Sequence, residues 1–203
     1  MTPKDIKVVK RDGENTPLDL EKIHHIVEHA CRGLAGVSES QVEMNSGLQF
    51  FDGITTKDIQ EILIRSANDL ITLDNPNYQY VAARLLLFGL RKAVYDGHPD
   101  KHPKLVDLVK ACVDKNVYEA DILNKFTDEE WEQLNGYIDH DRDYLFTYAG
   151  IRQVVDKYLV QDRSTGEVFE TPQFMYMMVA ATLFQNDDKF YRLEYIKKYY
   201  DAI

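Results

Sequence analysis

The sequence predicts a mainly α-helical protein with a small β-hairpin cap near its N-terminus. Apolar residues recur three and four positions apart over most of the 203 residues, which is the spacing of helices with one buried face. The exception is IKVVKRDGENTPLDL, where two short strand-like runs flank Asp12-Gly13, a dipeptide typical of tight hairpin turns. The stretch GHPDKHPK at 97–104 is rich in Gly and Pro, so it predicts a boundary between two domains, 1–95 and 96–203.

In the first predicted domain, the hairpin leads into four helices. Each predicted helix start carries a local signal. The signal is either a side chain that can cap the first turn or a proline, which the first turn of a helix tolerates. Ser38 followed by Gln41 forms the capping-box pattern for the second helix. The predicted starts are Asp19, Ser38, Thr56 and Asn75-Pro76. The result is a β-hairpin over a small helical bundle.

The helical pattern resumes beyond residue 104. Thr127 and Glu130 form a second capping box, and a further hairpin is predicted around Ser164-Thr165-Gly166. The predicted helical runs are LVDLVKACV, TDEEWEQLNGYI, YLFTYAGIRQVVDKYL, PQFMYMMVAATLF and KFYRLEYIKKYYDAI.

Composition excludes several classes of protein. The hydrophobic fraction of 44% supplies a core, but apolar runs such as VAARLLLFGL are interrupted by charge before they reach the roughly 20 residues of a membrane span. The N-terminus lacks the apolar stretch of a secretory signal, and Cys31 and Cys112 are far apart in sequence. We therefore expect a cytoplasmic protein without membrane association.

The charge distribution points to a small anionic ligand. The net charge of −10 argues against a nucleic-acid partner, which would require a basic domain or stripe. Residues 1–95 contain 11 Lys and Arg against 13 Asp and Glu, so the acidic excess lies mostly in 96–203. Residues 1–11 contain four basic residues, Lys4, Lys7, Lys10 and Arg11, and one acidic residue, Asp5. This local positive field suits a small polyanion.

The basic hairpin that leads into a helix is the most informative pattern for function. Lys10 and Arg11 lie on a short strand, and a helix begins at Asp19 with Lys22 in its first turn. Positive side chains and unpaired helix N–H groups would converge on one spot, which is a way to hold a triphosphate without a P-loop. The alternative is a solvated hairpin with ordinary surface lysines, because no Walker-type glycine loop is present. Taken alone, Lys92 and Thr56 are typical of a helix-dipole partner and an N-cap.

Other clusters predict structure more than chemistry. His25 and His29 lie four residues apart, but no third ligand is close in sequence, so no metal site is predicted. The cluster at 140–143, HDRD, has the residue types for acid/base chemistry or a divalent cation, but it is more typical of an ion-pair network at a helix end. The methionines of FMYMM are typical of core packing. The two cysteines form no CxxC motif, so no catalytic residue is predicted.

Several long blocks, in order, resemble the large subunit of class I ribonucleotide reductases. KRDG, DLEKIHH, DGITTKDIQ and PNYQYVAARLLLFGLRK resemble the ATP-cone at the start of that subunit. IDHDRDYLFTYAG, KYLVQD, TGEVFETPQFMYM and YIKKYYDAI resemble the helical segment that leads into its ten-stranded α/β barrel. The resemblance implies an ATP-cone, a β-hairpin over a four-helix bundle, at 1–95. It implies the helical N-terminal segment of the catalytic domain at 96–203, without the barrel.

The resemblance also implies a set of nucleotide-binding residues. It assigns Lys10 and Arg11 to the phosphates, Lys22 to the helix mouth facing them, and Thr56 and Lys92 to the rest of the polyphosphate grip. Val8, Ile23 and Ile59 would contact the base and sugar. The turn around the adenine would comprise Thr16, Pro17, Leu18, Asp19, Leu20, Glu21 and Lys22.

The sequence departs from the pattern of the family at four of these or neighbouring positions. Thr16 stands where a glutamate is common, and Asp19 where an asparagine is common. Gln60 and Gly89 stand where histidines are often found. A carboxylate at Asp19 can accept a hydrogen bond from the adenine amino group but cannot donate to a ring nitrogen.

The resemblance implies an allosteric role within an enzyme. ATP would activate and dATP inhibit, with Mg²⁺, the reduction of ribonucleoside diphosphates. The partners would be a small, radical-generating subunit and other large subunits. The redox cysteines of the family would lie beyond Ile203, so this segment alone should be inactive and hold no redox cofactor. Two alternatives are a stand-alone nucleotide sensor, such as a repressor with zinc-binding CxxC pairs, and a purely structural helical domain.

Overall fold

The computed structural model describes residues 6–10 and 12–203, and this part of the chain is mainly helical with short strands, as predicted. Arg11 lies outside the described residues. The elements are β1 (Lys7–Val9), β2 (Asn15–Pro17), α1 (Leu20–Cys31), α2 (Glu39–Gly47), β3 (Ile54–Thr55), α3 (Thr56–Asp69), α4 (Tyr78–Val94), α5 (Leu105–Asp114), α6 (Asp128–Tyr137), α7 (Tyr148–Lys157), β4 (Gln161–Asp162), β5 (Glu167–Val168), α8 (Pro172–Phe184) and α9 (Arg192–Ala202). Two 3-10 helices lie at Ala120–Asn124 and His140–Leu145.

A three-stranded sheet stands where the sequence predicts a two-stranded hairpin. β1 pairs antiparallel with β2, with Val8 opposite Thr16, and β3 joins the other edge of β1 in parallel, with Val8 opposite Ile54. The backbone N–H of Lys7 donates to Asp52 Oδ1 at 2.8 Å, which fixes the loop before β3. β3 has two residues, too few for the alternation that identifies a strand, so the sequence pattern does not predict it.

Capping boxes determine where two of the helices begin. Thr127 and Glu130 form the predicted box at the start of α6. α3 has a box as well, but between Thr55 and Asp58, so Thr55 is the N-cap and Thr56 is the first helical residue. Each box satisfies backbone N–H groups that a helix start otherwise leaves unpaired.

The start of α2 uses a hydroxyl from another helix. Ser38 Oγ accepts from the N–H of Gln41 at 3.4 Å, which is half of the predicted capping box. In the other half, the Tyr78 hydroxyl bridges the two residues. It accepts from the Ser38 N–H and donates to Gln41 Oε1 at 2.7 Å. Tyr78 is the first residue of α4, three positions after the predicted start at Asn75. Its ring is buried, so this contact ties α2 to α4.

The chain divides into two compact units. The first unit comprises the chain up to Gly89 together with Tyr144–Arg152, and the second comprises Leu90–Asp143 and Gln153–Ile203. Each unit has its own hydrophobic core.

The core of the first unit lies between its sheet and helices α1 to α4. Side chains with no exposed surface include Val27, Val42, Ile54, Ala67, Val81 and Leu85. The C-terminal end of α1 is held by Arg84, whose Nη1 donates to the carbonyl oxygens of Ala30 at 3.1 Å and Arg32 at 2.7 Å. The same guanidinium lies 5.5 Å from the centroid of the Tyr144 ring. A cation at this end of a helix is favoured by the helix dipole.

The second unit contains a buried polar network beside its core. Arg91 Nη2 donates to Asp143 Oδ2 at 2.9 Å and to the carbonyl of His140 at 2.8 Å. Gln173 Nε2 donates to Asp143 Oδ1, and its Oε1 accepts from the hydroxyl of Tyr200. Of the HDRD cluster, Asp143 forms the kind of ion pair that the sequence suggests, and this pair with Arg91 is buried, whereas Asp141 is exposed.

Among residues 6–10 and 12–203, none of the helices combines the length and the apolar content that a membrane crossing requires.

Candidate nucleotide-binding site

The sheet of the first unit brings several predicted site residues close together. The parallel pairing of β1 with β3 sets Val9 opposite Thr55, so Lys10 and the start of α3 follow at the same end of β1. Thr56 is half-buried there. The basic strand end and a helix N-terminus thus lie side by side, and unpaired N–H groups of a helix start attract anions.

The start of α1 lies toward the other end of β1. Leu18 donates its backbone N–H to Ile6 at 2.9 Å, just beyond the Lys7–Pro17 pair, and α1 begins two residues later. β1 spans three residues, about 10 Å. The sequence predicts that the basic side chains and helix starts converge on one spot. In the structure, the starts of α3 and α1 lie toward opposite ends of β1, so the site extends along this strand. An extended nucleotide, more than a compact anion, matches this arrangement.

Asp19 and Lys22 define the first turn of α1. The carboxylate of Asp19 accepts from the backbone N–H of Lys22 at 3.0 Å, which makes Asp19 the predicted N-cap. The side chains of Asp19, Leu20, Glu21 and Lys22 are exposed, as is Pro17, and Thr16 is half-buried. These residues form an accessible turn, within which Leu18 is buried.

The apolar residues assigned to the base lie in or against the core of the first unit. Val8, Leu18 and Ile23 are buried, and Ile59 is half-buried against them. Any contact with a base would come from the outer edge of this core. Lys92, on the last turn of α4, is half-buried and belongs to the second unit. Its part in the site remains a prediction.

Lys10 is already paired with an acidic residue. Its Nζ lies 2.6 Å from Glu14 Oε2 across the turn of the hairpin. The hydrogen bond with Glu14 raises the pKa of Lys10 above its usual value. Sequence reasoning missed Glu14, although an acidic residue four positions after Lys10 and across a tight turn was the available signal.

Gln60 and Gly89, which depart from the family pattern, are in contact with each other. Gln60 Nε2 donates to the carbonyl of Leu85 at 2.6 Å, and a Cβ at position 89 would lie 3.0 Å from Gln60 Cγ. Gln60 is one turn after Thr56 on α3. Because Gly89 has no side chain, the side chain of Gln60 can lie across α4 beside the predicted site.

The described residues offer neither a metal cluster nor a reactive thiol. No group of three or more His, Cys, Asp or Glu side chains within 6–10 and 12–203 could hold a metal ion. Cys31 and Cys112 are buried, and burial raises the pKa of each thiol to about 11. Both thiols stay protonated at neutral pH and are poor nucleophiles.

Comparisons with known proteins match two separate stretches of the chain to family models. The family model described as ATP cone domain matches residues 6–93, and the one described as ribonucleotide reductase, all-alpha domain matches residues 144–203. The chain is 49% identical over 199 residues to the ribonucleoside-diphosphate reductase subunit alpha of Haemophilus influenzae, and 47% identical over 199 residues to the ribonucleoside-diphosphate reductase 1 subunit alpha of Escherichia coli. The alpha subunit of phage T4 is 38% identical over 198 residues.

These matches cover 98% of this chain but only 26% of each of the three relatives. The chain thus spans about a quarter of the length of the curated relatives it matches. Its two family matches occur in the order that the sequence predicts, an ATP cone first and the all-alpha domain after it. The chain therefore belongs to the family of ribonucleoside-diphosphate reductase alpha subunits and corresponds to their N-terminal part.

Proposed function

We propose that residues 1–95 bind ATP or dATP, with Mg²⁺, as an allosteric effector of a ribonucleoside-diphosphate reductase. The observation that carries the proposal is the coincidence of the ATP cone match with the sheet that aligns Lys10, the start of α3 and the start of α1. The end of β1 that attracts anions and the exposed turn at the start of α1 are separated by the length of β1, about 10 Å.

The triphosphate would lie at the end of β1 that carries Lys10 and Thr56, with Arg11 assigned there by resemblance. Ammonium and guanidinium groups, together with N–H groups of the first turn of α3, would meet the phosphate charge. The adenine would lie against the turn from Thr16 to Lys22, and the long side chain of Lys22 would reach back from this turn toward the phosphates. Asp19 caps α1 through one carboxylate oxygen, and a carboxylate has about four acceptor positions, so it can also accept from the adenine amino group.

The regulated reaction would be carried out by a longer polypeptide. Residues 96–203 would form the helical N-terminal segment of its catalytic domain, and the radical would come from a separate small subunit in the cytoplasm. Cys31 and Cys112 are buried and their thiols stay protonated, so neither is poised to act as the reductant, and we expect no turnover by residues 1–203 alone. ATP and dATP differ by one hydroxyl, so switching must rest on differential binding to two conformations or assemblies.

Calorimetric titration of the 203-residue chain with ATP and dATP in the presence of Mg²⁺ tests the proposal. We expect saturable binding of both ligands. Lys22→Ala and Lys92→Ala should each weaken both ligands by roughly ten- to hundredfold, because a phosphate contact does not sense the 2′-hydroxyl. The loss should shrink as salt rises.

Lys110→Ala is the matched control, because Lys110 is an exposed lysine on α5 in the second unit. It removes the same charge and should leave both affinities unchanged. Absence of binding by the parent chain would favour a purely structural domain. Unchanged affinity in both Lys22→Ala and Lys92→Ala would show that the site lies elsewhere.

A further inference from the structure

The ion pair between Lys10 and Glu14 is built into the hairpin. The N–H of Lys10 donates to the Glu14 carbonyl at 2.9 Å, so the two residues lie opposite each other on the two sides of the hairpin turn. The Glu14 N–H donates to Asp12 Oδ1 at 2.9 Å, which holds the turn in shape. Side chains of directly opposed residues in an antiparallel pair lie on the same face and interact. The backbone therefore keeps the Glu14 carboxylate within reach of the Lys10 ammonium.

We propose that Glu14 competes with the nucleotide polyphosphate for Lys10 and so sets the affinity of the site. The inference rests on the proposed function, because it takes Lys10 as a phosphate contact. A bound triphosphate carries up to four negative charges. When it reaches Lys10, the carboxylate either leaves the ammonium or stays beside the phosphate as a like charge, and both outcomes oppose binding.

The exposure of the pair limits the size of the effect. The side chains of Lys10 and Glu14 are 43% and 61% exposed, so water and salt weaken their attraction. An exposed pair of this kind changes an equilibrium by about two- to fivefold. Glu14 thus lowers the affinity of the site for the nucleotide without abolishing binding. It affects only ligands that have a phosphate chain long enough to reach Lys10.

The test is a double-mutant cycle on the 203-residue chain, with ATP and Mg²⁺ titrated by calorimetry. Glu14→Gln should tighten ATP about two- to fivefold. Glu14→Ala should do the same, which separates the loss of charge from any new contact made by the glutamine amide. In a Lys10→Ala background, Glu14→Gln should change the affinity less than twofold, because the contested ammonium is gone.

Glu28→Gln is the matched control, because it removes the same charge from a side chain farther along α1 that is 44% exposed. It should leave ATP affinity unchanged, and circular dichroism should show the same helix content in every variant. An unchanged affinity in Glu14→Gln, or a gain that persists undiminished in the Lys10→Ala background, overturns the competition while leaving the proposed function standing. A parent chain that binds no ATP overturns both.

Discussion

At the scale of single residues, burial decides the ionisation of two histidines in the second unit. The ring of His140 stacks on that of His102, with centroids 3.7 Å apart and planes within 3°. Burial, with the nearby positive charge of His102 and Arg91, lowers the pKa of His140 to about 3. Burial also lowers the pKa of His102. At neutral pH this stack is therefore an uncharged aromatic contact between the Gly/Pro-rich stretch and the 3-10 helix at 140–145.

This stack predicts a loss of stability in mild acid. The pKa of His140 is lower in the folded than in the unfolded chain, so its stabilisation is complete above the unfolded value of about 6.5. The stabilisation is lost as the pH falls from about 6.5 toward 3, at up to about 1.4 kcal/mol per pH unit. Urea unfolding at pH 6.5 and 5.0 measures this loss.

The His140→Asn variant isolates the contribution of one ring. It should lose about 1 to 2 kcal/mol less free energy of unfolding than the parent between these two pH values. His98→Asn is the control, since His98 is exposed, and it should lose as much as the parent. Equal losses in the parent and in His140→Asn would contradict a neutral, buried His140.

At the scale of elements, the contact between α3 and α4 depends on a glycine in the middle of a helix. Gly89 is an interior residue of α4, where glycine is about 1 kcal/mol less favourable than alanine. Its neighbour on α3, Gln60, occupies the space where a side chain would be and donates to the Leu85 carbonyl. The helix propensity lost at Gly89 is offset by this close approach.

We therefore expect Gly89→Ala to show none of the usual stabilisation of such a substitution. The added methyl group would lie 3.0 Å from Gln60 Cγ, so the amide would shift from Leu85 and the free energy of unfolding would stay level or fall by about 1 kcal/mol. The double variant Gln60→Ala, Gly89→Ala should be more stable than Gln60→Ala alone, by about 1 kcal/mol. Urea unfolding measures both differences.

Gly136 provides the matched control for this experiment. It is the penultimate residue of α6, where an added Cβ meets nothing within 4 Å, so Gly136→Ala should stabilise the protein by about 0.5 to 1 kcal/mol. If Gly89→Ala stabilises as much as Gly136→Ala, then Gln60 does not depend on the space at Gly89.

At the scale of the whole molecule, the ATP cone match and the first unit share most of their residues but differ at the edges. The cone match ends at residue 93, whereas the first unit ends at Gly89 and also includes Tyr144–Arg152. In that later segment Tyr144 lies under the Arg84 guanidinium and Tyr148 packs against the core of the first unit. Part of the surface of the first unit is therefore supplied from the region of the all-alpha match.

Removal of residues 1–95 from a full-length reductase that contains this chain should separate regulation from catalysis. We expect ribonucleoside-diphosphate reduction to continue and inhibition by dATP to disappear, because the proposed effector site is deleted. The truncated enzyme should also be less stable, since Tyr144 and Tyr148 lose the residues that cover them and the buried Asp143 loses its partner Arg91. Reduction assays with and without dATP, with the small subunit supplied, measure both activities.

An internal control comes from Lys22→Ala in the same full-length enzyme. It should require more dATP for inhibition while keeping the stability of the parent. Undiminished inhibition of the truncated enzyme by dATP would place the inhibitory site outside residues 1–95.

The sequence by itself determined the helices and their order, because helical spacing of apolar residues and caps such as that formed by Asp19 are local properties of the chain. It also indicated the basic hairpin and, through the resemblance, the proposed nucleotide ligands. These features depend on residues within a few positions of one another.

Only the tertiary structure decided how distant segments meet. It brought β3 beside β1, placed Gln60 over Gly89, and set Arg84 between the end of α1 and Tyr144. It also turned Glu14 toward Lys10, a contact close in sequence that depends on the geometry of the hairpin turn. The spacing of apolar residues shows which face of an element is buried. It does not show which partner covers that face, so these contacts follow from packing in three dimensions.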